Sequence, residues 1–407
     1  MTLGIEAINA YVGRAYVDVR RLFEARNLDM GRFANLMMAE RSVNLPCEDP
    51  VTNAVNAARP LLAALSPAER QRVETLVVGT ESGLDFGKPI STYVHHYLDL
   101  GAACRSFEVK HACYGGTAAL QSAAGIVGAD PVPGTKALVI ATDAASATEK
   151  ASYWEPSEGA GAVAMLVGDQ AQVLALDRGA NGYHTFEVMD TLRPRHDTDV
   201  VDPDLSLLAY MRCAEESFAA YQKRVAGADI LDTFDYLAFH TPFAGMVKGA
   251  HRMLLRKQKG LGQAEIEADF AARVGPSLAY AQRVGNTFSA ALYLALCSLL
   301  VSLYENGGSS APKRVGLFSY GSGCASEFFS GVIPPGARPV TSVAGALDER
   351  QEITVEEFDE ITDRSADRVF GVRDAVFDMA PYEPLLKDRG LLILDRIAGF
   401  HREYRWS

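Results

Sequence analysis

The sequence predicts an α/β protein in which buried strands alternate with helices that cover them on both faces. Three observations carry that prediction. Short runs rich in Val, Leu, Ile and Ala end in Gly, Thr, Asp or His, as in "ETLVVGTESG", "KALVIATDAA", "GAVAMLVGD", "DYLAFHTPF" and "RVGLFSYGSG", and unbroken apolar runs of this length suit strands buried on both sides. Helical patterns lie between them, over residues 53–65, 113–129, 205–225 and 287–305. Polar residues gather at the strand ends, where open α/β sheets place their ligands.

In chain order, a strand at 72–79 is followed by Cys113 and its helix, then by a strand at 136–142. Ten of the nineteen residues in "HACYGGTAALQSAAGIVGA" are Gly or Ala, so this helix has a thin surface that suits an enclosed position. The second half repeats the order: a strand at 235–239, "GNTF" at 285–288 with its apolar helix, then a strand at 314–319. A duplicated unit, divided near residue 170 into halves 1–170 and 171–407, would bring the two polar helix starts, Cys113 and Asn286, to one shared pocket.

Bulk properties narrow the class. A chain of 407 residues exceeds one small core and requires two intimately packed units or a duplication. With 48% apolar and 22% charged residues it reads as an ordinary globular, enzyme-sized protein. A net charge of -12 argues against a nucleic-acid binder, so an anionic partner must meet a local basic patch. The six cysteines form no CxxC pair, which points to neither a zinc site nor a disulfide framework and fits a reducing cytoplasm. The N-terminus does not read as a signal peptide. The apolar stretch 288–304 is shorter than a usual membrane span and reads as a buried core helix.

Several polar residues stand where chemistry is possible. Cys113 precedes the first turns of its helix, where free N–H groups and the macrodipole favour a thiolate, although an unpaired cysteine also serves as a small buried hydrophobe. Glu81 follows a buried run; partly desolvated, its pKa would rise toward neutrality, the range useful to a general base, while a cap or ion pair would serve structure alone. His240 leaves an apolar strand just before Thr241 and Pro242, as a tunable donor or as a core histidine. Asn286 and Ser322 add neutral polar groups at comparable places, each compatible with turn chemistry. Lys248, Arg252 and Arg256, spaced by four, form a basic stripe that is either a solvated helix face or a receiver for phosphate or an acidic carrier protein.

Together these residues resemble the 3-hydroxy-3-methylglutaryl-CoA synthases of the thiolase superfamily. The resemblance runs along nearly the whole chain, through "GTESGLD", "HACYGGTAAL", "EPSEGAGAVAML", "EVMDTLRP", "FHTPF", "GNTFSAALY" and "SYGSG". Within the family, the chain looks more like the variant that installs β-branches on carrier-bound chains in bacterial polyketide assembly than like the enzyme of isoprenoid metabolism. Its "HTPFAGMVKGAHR", the early "NLDMGRFANLMMAERSVNLPCEDPVTNAVNAA" and the closing "FHREYRWS" support this. Where CoA-using relatives commonly carry a lysine, five residues past the histidine, this chain has Gly245, although Lys248 is retained.

The resemblance implies a thiolase-like fold of five α-β-α-β-α layers, two similar halves and, typically, a homodimer. It implies that Cys113 takes an acetyl group, that Glu81 removes a proton from the acetyl methyl, and that His240 polarises the β-carbonyl of an acetoacetyl thioester. Donor and acceptor acyl carrier proteins would present substrate on phosphopantetheine, with no metal or organic cofactor. Arg32 is a candidate for the arm's phosphate, Lys248, Asn286 and Ser322 for substrate, and Arg252 and Arg256 for carrier docking. Three alternatives are a primary HMG-CoA synthase, which would share every catalytic residue, a decarboxylative ketosynthase, which would not need Glu81, and a catalytically silent scaffold.

Overall fold

A computed structural model describes residues 2–144, 149–195, 198–305, 310–339, 341 and 343–407. Nine strands form one continuous sheet: β1 (Gly4–Tyr11), β2 (Val73–Gly79), β3 (Arg105–Val109), β4 (Lys136–Ala144), β5 (Ala160–Gly168), β6 (Leu174–Thr185), β7 (Tyr236–Phe239), β8 (Lys313–Gly321) and β9 (Ala325–Ile333). Their order is β7-β8-β9-β6-β1-β5-β4-β2-β3. The longer helices that cover it are α1 (Pro50–Ala63), α2 (Ile90–Tyr97), α3 (Gly115–Ala129), α4 (Pro203–Arg224), α5 (Ala244–Lys259) and α6 (Ala291–Glu305).

The two halves share one pairing scheme. In the first, β2 runs parallel to β4, β4 antiparallel to β5, and β5 antiparallel to β1. In the second, β7 runs parallel to β8, β8 antiparallel to β9, and β9 antiparallel to β6. They join where Ile5 of β1 lies opposite Leu174 of β6.

Alternation along the strands explains the layers. Leu76, Val78, Leu138 and Ile140 pack with α1 and α2 on one face of the first half, whereas Val77 and Val139 point the other way, into a core shared with α3 and α6. Ala238, Leu317 and Phe329 enter that same central core from the second half, while Leu237, Phe239, Phe318 and Phe328 face α4 and α5. β4 and β5 are buried along their whole length and β2, β8 and β9 nearly so, so their sequences are apolar without a polar period, whereas β3 and most of β6 are only partly covered. The result is the thiolase-like α-β-α-β-α stack, with α3 and α6 as its middle layer.

The apolar helix occupies that middle. Residues 291–300 are all buried, and 72% of the apolar segment Phe288–Glu305 lies inside the protein, so it serves here as the core. The helix is shorter than its sequence pattern: Phe288–Ala290 form a 3-10 turn, and α6 begins at Ala291. Gly116 allows the close approach of the two central helix starts, since a Cβ there would lie 2.3 Å from the Ser289 carbonyl oxygen. Gly321 does the same against the turn before α3, where a Cβ would meet the Tyr114 nitrogen at 2.5 Å.

Candidate active site

Four strand ends and two helix starts open into one cavity of ≈ 1260 Å³, lined by Glu81, Cys113, His240, Asn286, Ser322 and Arg32 among others. Glu81 lies just past the end of β2, and His240 directly past β7. Cys113 follows Ala112, whose φ of 39° is left-handed and unusual for a residue with a Cβ. Ser322 follows β8, and Asn286 precedes the turn into α6. Cys113 and Asn286, expected to meet at the start of paired helices, do share this cavity.

The Cys113 thiol donates to Glu81 Oε2 at 3.3 Å. Below them lies Asp143, at 0% exposure. Its Oδ1 accepts from the Thr80 hydroxyl (2.8 Å), the Glu81 amide (2.8 Å) and the Ser82 amide (3.0 Å). Its Oδ2 accepts from the Ser289 amide (2.9 Å) and hydroxyl (2.5 Å). Asp143 therefore ties the loop carrying Glu81 to the start of the other half's central helix. On the opposite side, Arg193 Nη2 lies 3.7 Å from Glu81 Oε1 and is itself clamped by Asp199.

Burial and the charge of Asp143 raise Glu81 to about 7, against the pull of Arg193. The Cys113 thiol is pushed well above its ordinary value by burial, then by Glu81 and Asp143. This corrects the expectation of a thiolate stabilised by the helix dipole. Helix α3 starts only at Gly115, and the Tyr114 and Gly115 amides are spent on the carbonyls of His111 and Ala112. In the resting site the proton stays on sulfur, with Glu81 placed to take it.

His240 is 2% exposed, and burial lowers its pKa to about 3, so the ring is neutral. Its amide donates to the Phe318 carbonyl at 2.7 Å and its carbonyl accepts from the Tyr210 hydroxyl at 2.7 Å, which locks the backbone. Among the described residues, Nδ1 is buried without a hydrogen-bond partner. Asn286 Oδ1 accepts from the Phe288 amide at 2.9 Å, and the Asn286 amide donates to the Ser157 carbonyl at 2.7 Å. Ser322 bonds Tyr320, whose hydroxyl donates to the buried Asp190 at 2.7 Å.

The basic residues separate. Arg32 lines the cavity, its guanidinium 4.5 Å from the centre of the Tyr153 ring. Lys248 does not line it; its Nζ pairs with Glu267 at 2.6 Å. The apolar face formed by Ala244, Val247, Ala250 and Leu254 sets the rotation of α5 and turns Lys248 toward the acidic helix Gln263–Asp269. Arg252 and Arg256 are exposed on the same helix, away from the cavity lining. Gly245 has a packing reason: a Cβ there would lie 1.7 Å from the carbonyl oxygen of Asn35, in the helix Met30–Leu36. A lysine cannot occupy this position while that helix is in place.

Sequence reasoning missed Asp143, Arg193, Asp199, Ser289 and Asp190. A carboxylate ending an apolar run, "VIATD", was the available signal for Asp143. Arg193 lies in "EVMDTLRP", yet nothing local to it indicates Glu81 as its partner.

The fold and this cysteine–carboxylate–histidine site define a thioester-handling condensing enzyme of the thiolase type. Comparison with known proteins narrows the class. The model "Hydroxymethylglutaryl-coenzyme A synthase N terminal" matches residues 1–172, and the corresponding C-terminal model matches 174–266 and 258–402. The "Polyketide biosynthesis 3-hydroxy-3-methylglutaryl-ACP synthase PksG" of Bacillus subtilis is 48% identical, covering 100% of this chain and 99% of that protein. A hydroxymethylglutaryl-CoA synthase of Enterococcus faecalis is 38% identical over 88% of this chain and 91% of its own length. The crystal structure of the curacin pathway HMG synthase in complex with apo donor-ACP superposes with a TM-score of 0.94 at 46% identity, covering 100% of both chains. The chain belongs to the hydroxymethylglutaryl-CoA synthase family.

Proposed function

We propose that this protein is a hydroxymethylglutaryl synthase of polyketide β-branching, which condenses an acetyl group with a β-ketoacyl thioester carried on an acyl carrier protein. The observation that carries the reading is the 3.3 Å contact between the Cys113 thiol and a Glu81 carboxylate raised to about 7, inside one cavity. Glu81 accepts the thiol proton as Cys113 attacks the donor thioester and passes it to the departing donor thiolate, which leaves as the thiol and returns Glu81 to its carboxylate form. With the acetyl group on sulfur, the methyl stands where the thiol proton stood, within reach of the same base. Attachment converts a bimolecular proton abstraction into an intramolecular one. Thioester α-hydrogens are more acidic than those of an ester because sulfur delocalises poorly into the carbonyl.

The enolate attacks the β-carbonyl of the acceptor, and the alkoxide that forms takes up a proton as Glu81 releases the one it drew from the methyl, giving the 3-hydroxyl and an ionised Glu81. Neutral His240 hydrogen-bonds that carbonyl oxygen, with the Asn286 side-chain NH₂ beside it, and Ser322 at the same cavity is the proposed donor to the thioester oxyanion. Water then hydrolyses the enzyme thioester, leaving a free carboxylate and drawing the condensation forward. The scheme calls on no metal or organic cofactor.

Carrier-borne substrate is supported by the full-length likeness to an HMG-ACP synthase and to a synthase solved with its donor carrier. It is also supported by Gly245, whose site leaves no room for a lysine. Arg32 at the cavity and exposed Arg252 and Arg256 on α5 are the proposed contacts for the arm's phosphate and the carrier surface. We further propose a cytoplasmic homodimer, checked by light scattering against the 43.9 kDa chain mass. Offering acetyl-carrier and acetyl-CoA separately, and weighing the intact protein, tests the substrate form. The proposal expects acetyl on Cys113 from the carrier at far lower donor concentration; equal labelling by CoA would refute carrier selectivity, and no adduct from either donor would refute the acyltransferase.

A further inference from the structure

Hydrolysis places a new negative charge in a site that already holds one. Water adds to the Cys113 thioester carbonyl and the C–S bond breaks. The sulfur recovers a proton, and the acid loses its own proton to solvent, leaving a carboxylate where the acetyl carbonyl had been. That carboxylate stands beside Glu81, because Glu81 Oε2 is 3.3 Å from the sulfur. Two carboxylates at such a distance repel, and their site must supply a cation or keep a proton.

Arg193 is placed for this. Its Nη2 lies 3.7 Å from Glu81 Oε1, outside hydrogen-bond reach but close enough to share its charge with a second anion. Asp199, at 7% side-chain exposure, grips one edge of the guanidinium through Nε (2.6 Å) and Nη2 (3.2 Å). A fork fixed on one edge presents its remaining N–H groups in a set direction, and planar two-point recognition of carboxylates is what the guanidinium does best. Arg193 is only 22% exposed and lines the cavity that also holds Cys113.

We infer that Arg193, oriented by Asp199, is the subsite for the carboxylate released from Cys113, binding the free-acid arm of the hydroxymethylglutaryl product. The inference rests on the function proposed above. Its consequence is a division of labour: Glu81 serves the steps before carbon–carbon bond formation, and Arg193 serves the hydrolytic step after it.

Before hydrolysis, Cys113 and the acceptor carrier are joined through the six-carbon unit, so a slow final step leaves an enzyme–carrier conjugate visible by gel and intact mass. Acetyl-enzyme is mixed with acetoacetyl-carrier, quenched over time and analysed for Arg193→Gln, Arg193→Lys and the natural chain. The expected result for Arg193→Gln is an accumulating conjugate, cleaved by hydroxylamine, with hydrolysis slowed about tenfold more than Cys113 acetylation, the loss of one charge-assisted bond. Arg193→Lys, which keeps the cation and serves also if the glutamine variant fails to fold, should give an intermediate amount. Equal slowing of both steps without a conjugate in either variant overturns the inference. Absence of any hydroxymethylglutaryl product from the natural chain would instead overturn the function on which it rests.

Discussion

Replacing Asp143 by Asn changes one buried oxygen into an NH₂ group and should unlink the two halves of the site. The carboxylate accepts from Thr80, Glu81 and Ser82 at one oxygen and from Ser289 twice at the other. An asparagine offers one accepting oxygen, so whichever way it turns, an NH₂ group faces amide or hydroxyl donors. If the oxygen keeps the three donors of the Glu81 loop, the Ser289 amide is left facing a donor. Bonds to a charged group contribute about 1.5–3 kcal/mol each, and a buried unsatisfied donor costs about 1–3 kcal/mol. The Ser289 hydroxyl can rotate, so the net loss should be about 2–5 kcal/mol. Urea unfolding should show a lower midpoint, and acetylation of Cys113 should slow as the Glu81 loop loosens. An Asp143→Asn protein as stable and as readily acetylated as the natural one would refute the assigned role.

Other outcomes follow from the same geometry. Glu81→Gln should lower condensation by about 10²–10⁴-fold, the usual contribution of a general base, measured as product formed from acetyl-enzyme. Because Glu81 must be ionised to take the methyl proton and its pKa is raised to about 7, that rate should climb with pH through neutrality; a flat profile from about pH 5.5 to 8.5 would contradict the assignment. Gly245→Ala should cost about 1–3 kcal/mol of stability in denaturant unfolding, since its Cβ collides with Asn35. Reversing Arg252 and Arg256 to Glu should raise KM for carrier-bound substrate and spare acetyl-pantetheine; an equal change for both would remove them from docking.

Much of the fold was legible because β2, β4, β7 and β8 are buried on both faces and so appear as unbroken apolar runs with polar punctuation. The repeated order of strand, helix and strand could be read from the chain, and the strand pairing repeats in the same order. Cys113, Glu81 and His240 stood at recognisable strand and helix ends, and the cavity gathers all three. What the sequence hid depends on distance along the chain. Asp143 meets Ser289 from 146 residues away, and Arg193 meets Glu81 only because the antiparallel strands Thr191–Arg195 and Thr198–Val201 bring it to the cavity lining. The thiol's protonation was misjudged because helix position suggests a dipole, whereas enclosure and two carboxylates depend on tertiary packing. Lys248 shares a stripe with Arg252 and Arg256, but the helix's apolar contacts, not its charges, set which way it turns.

The central claim is tested most directly by mixing the protein with acetyl-carrier and acetoacetyl-carrier and weighing the acceptor, with Cys113→Ala alongside. The account predicts that the acceptor gains the mass of an acetyl unit plus water and that the alanine protein adds nothing. An unchanged acceptor in the presence of acetylated Cys113, or an equal gain with Cys113→Ala, would contradict it.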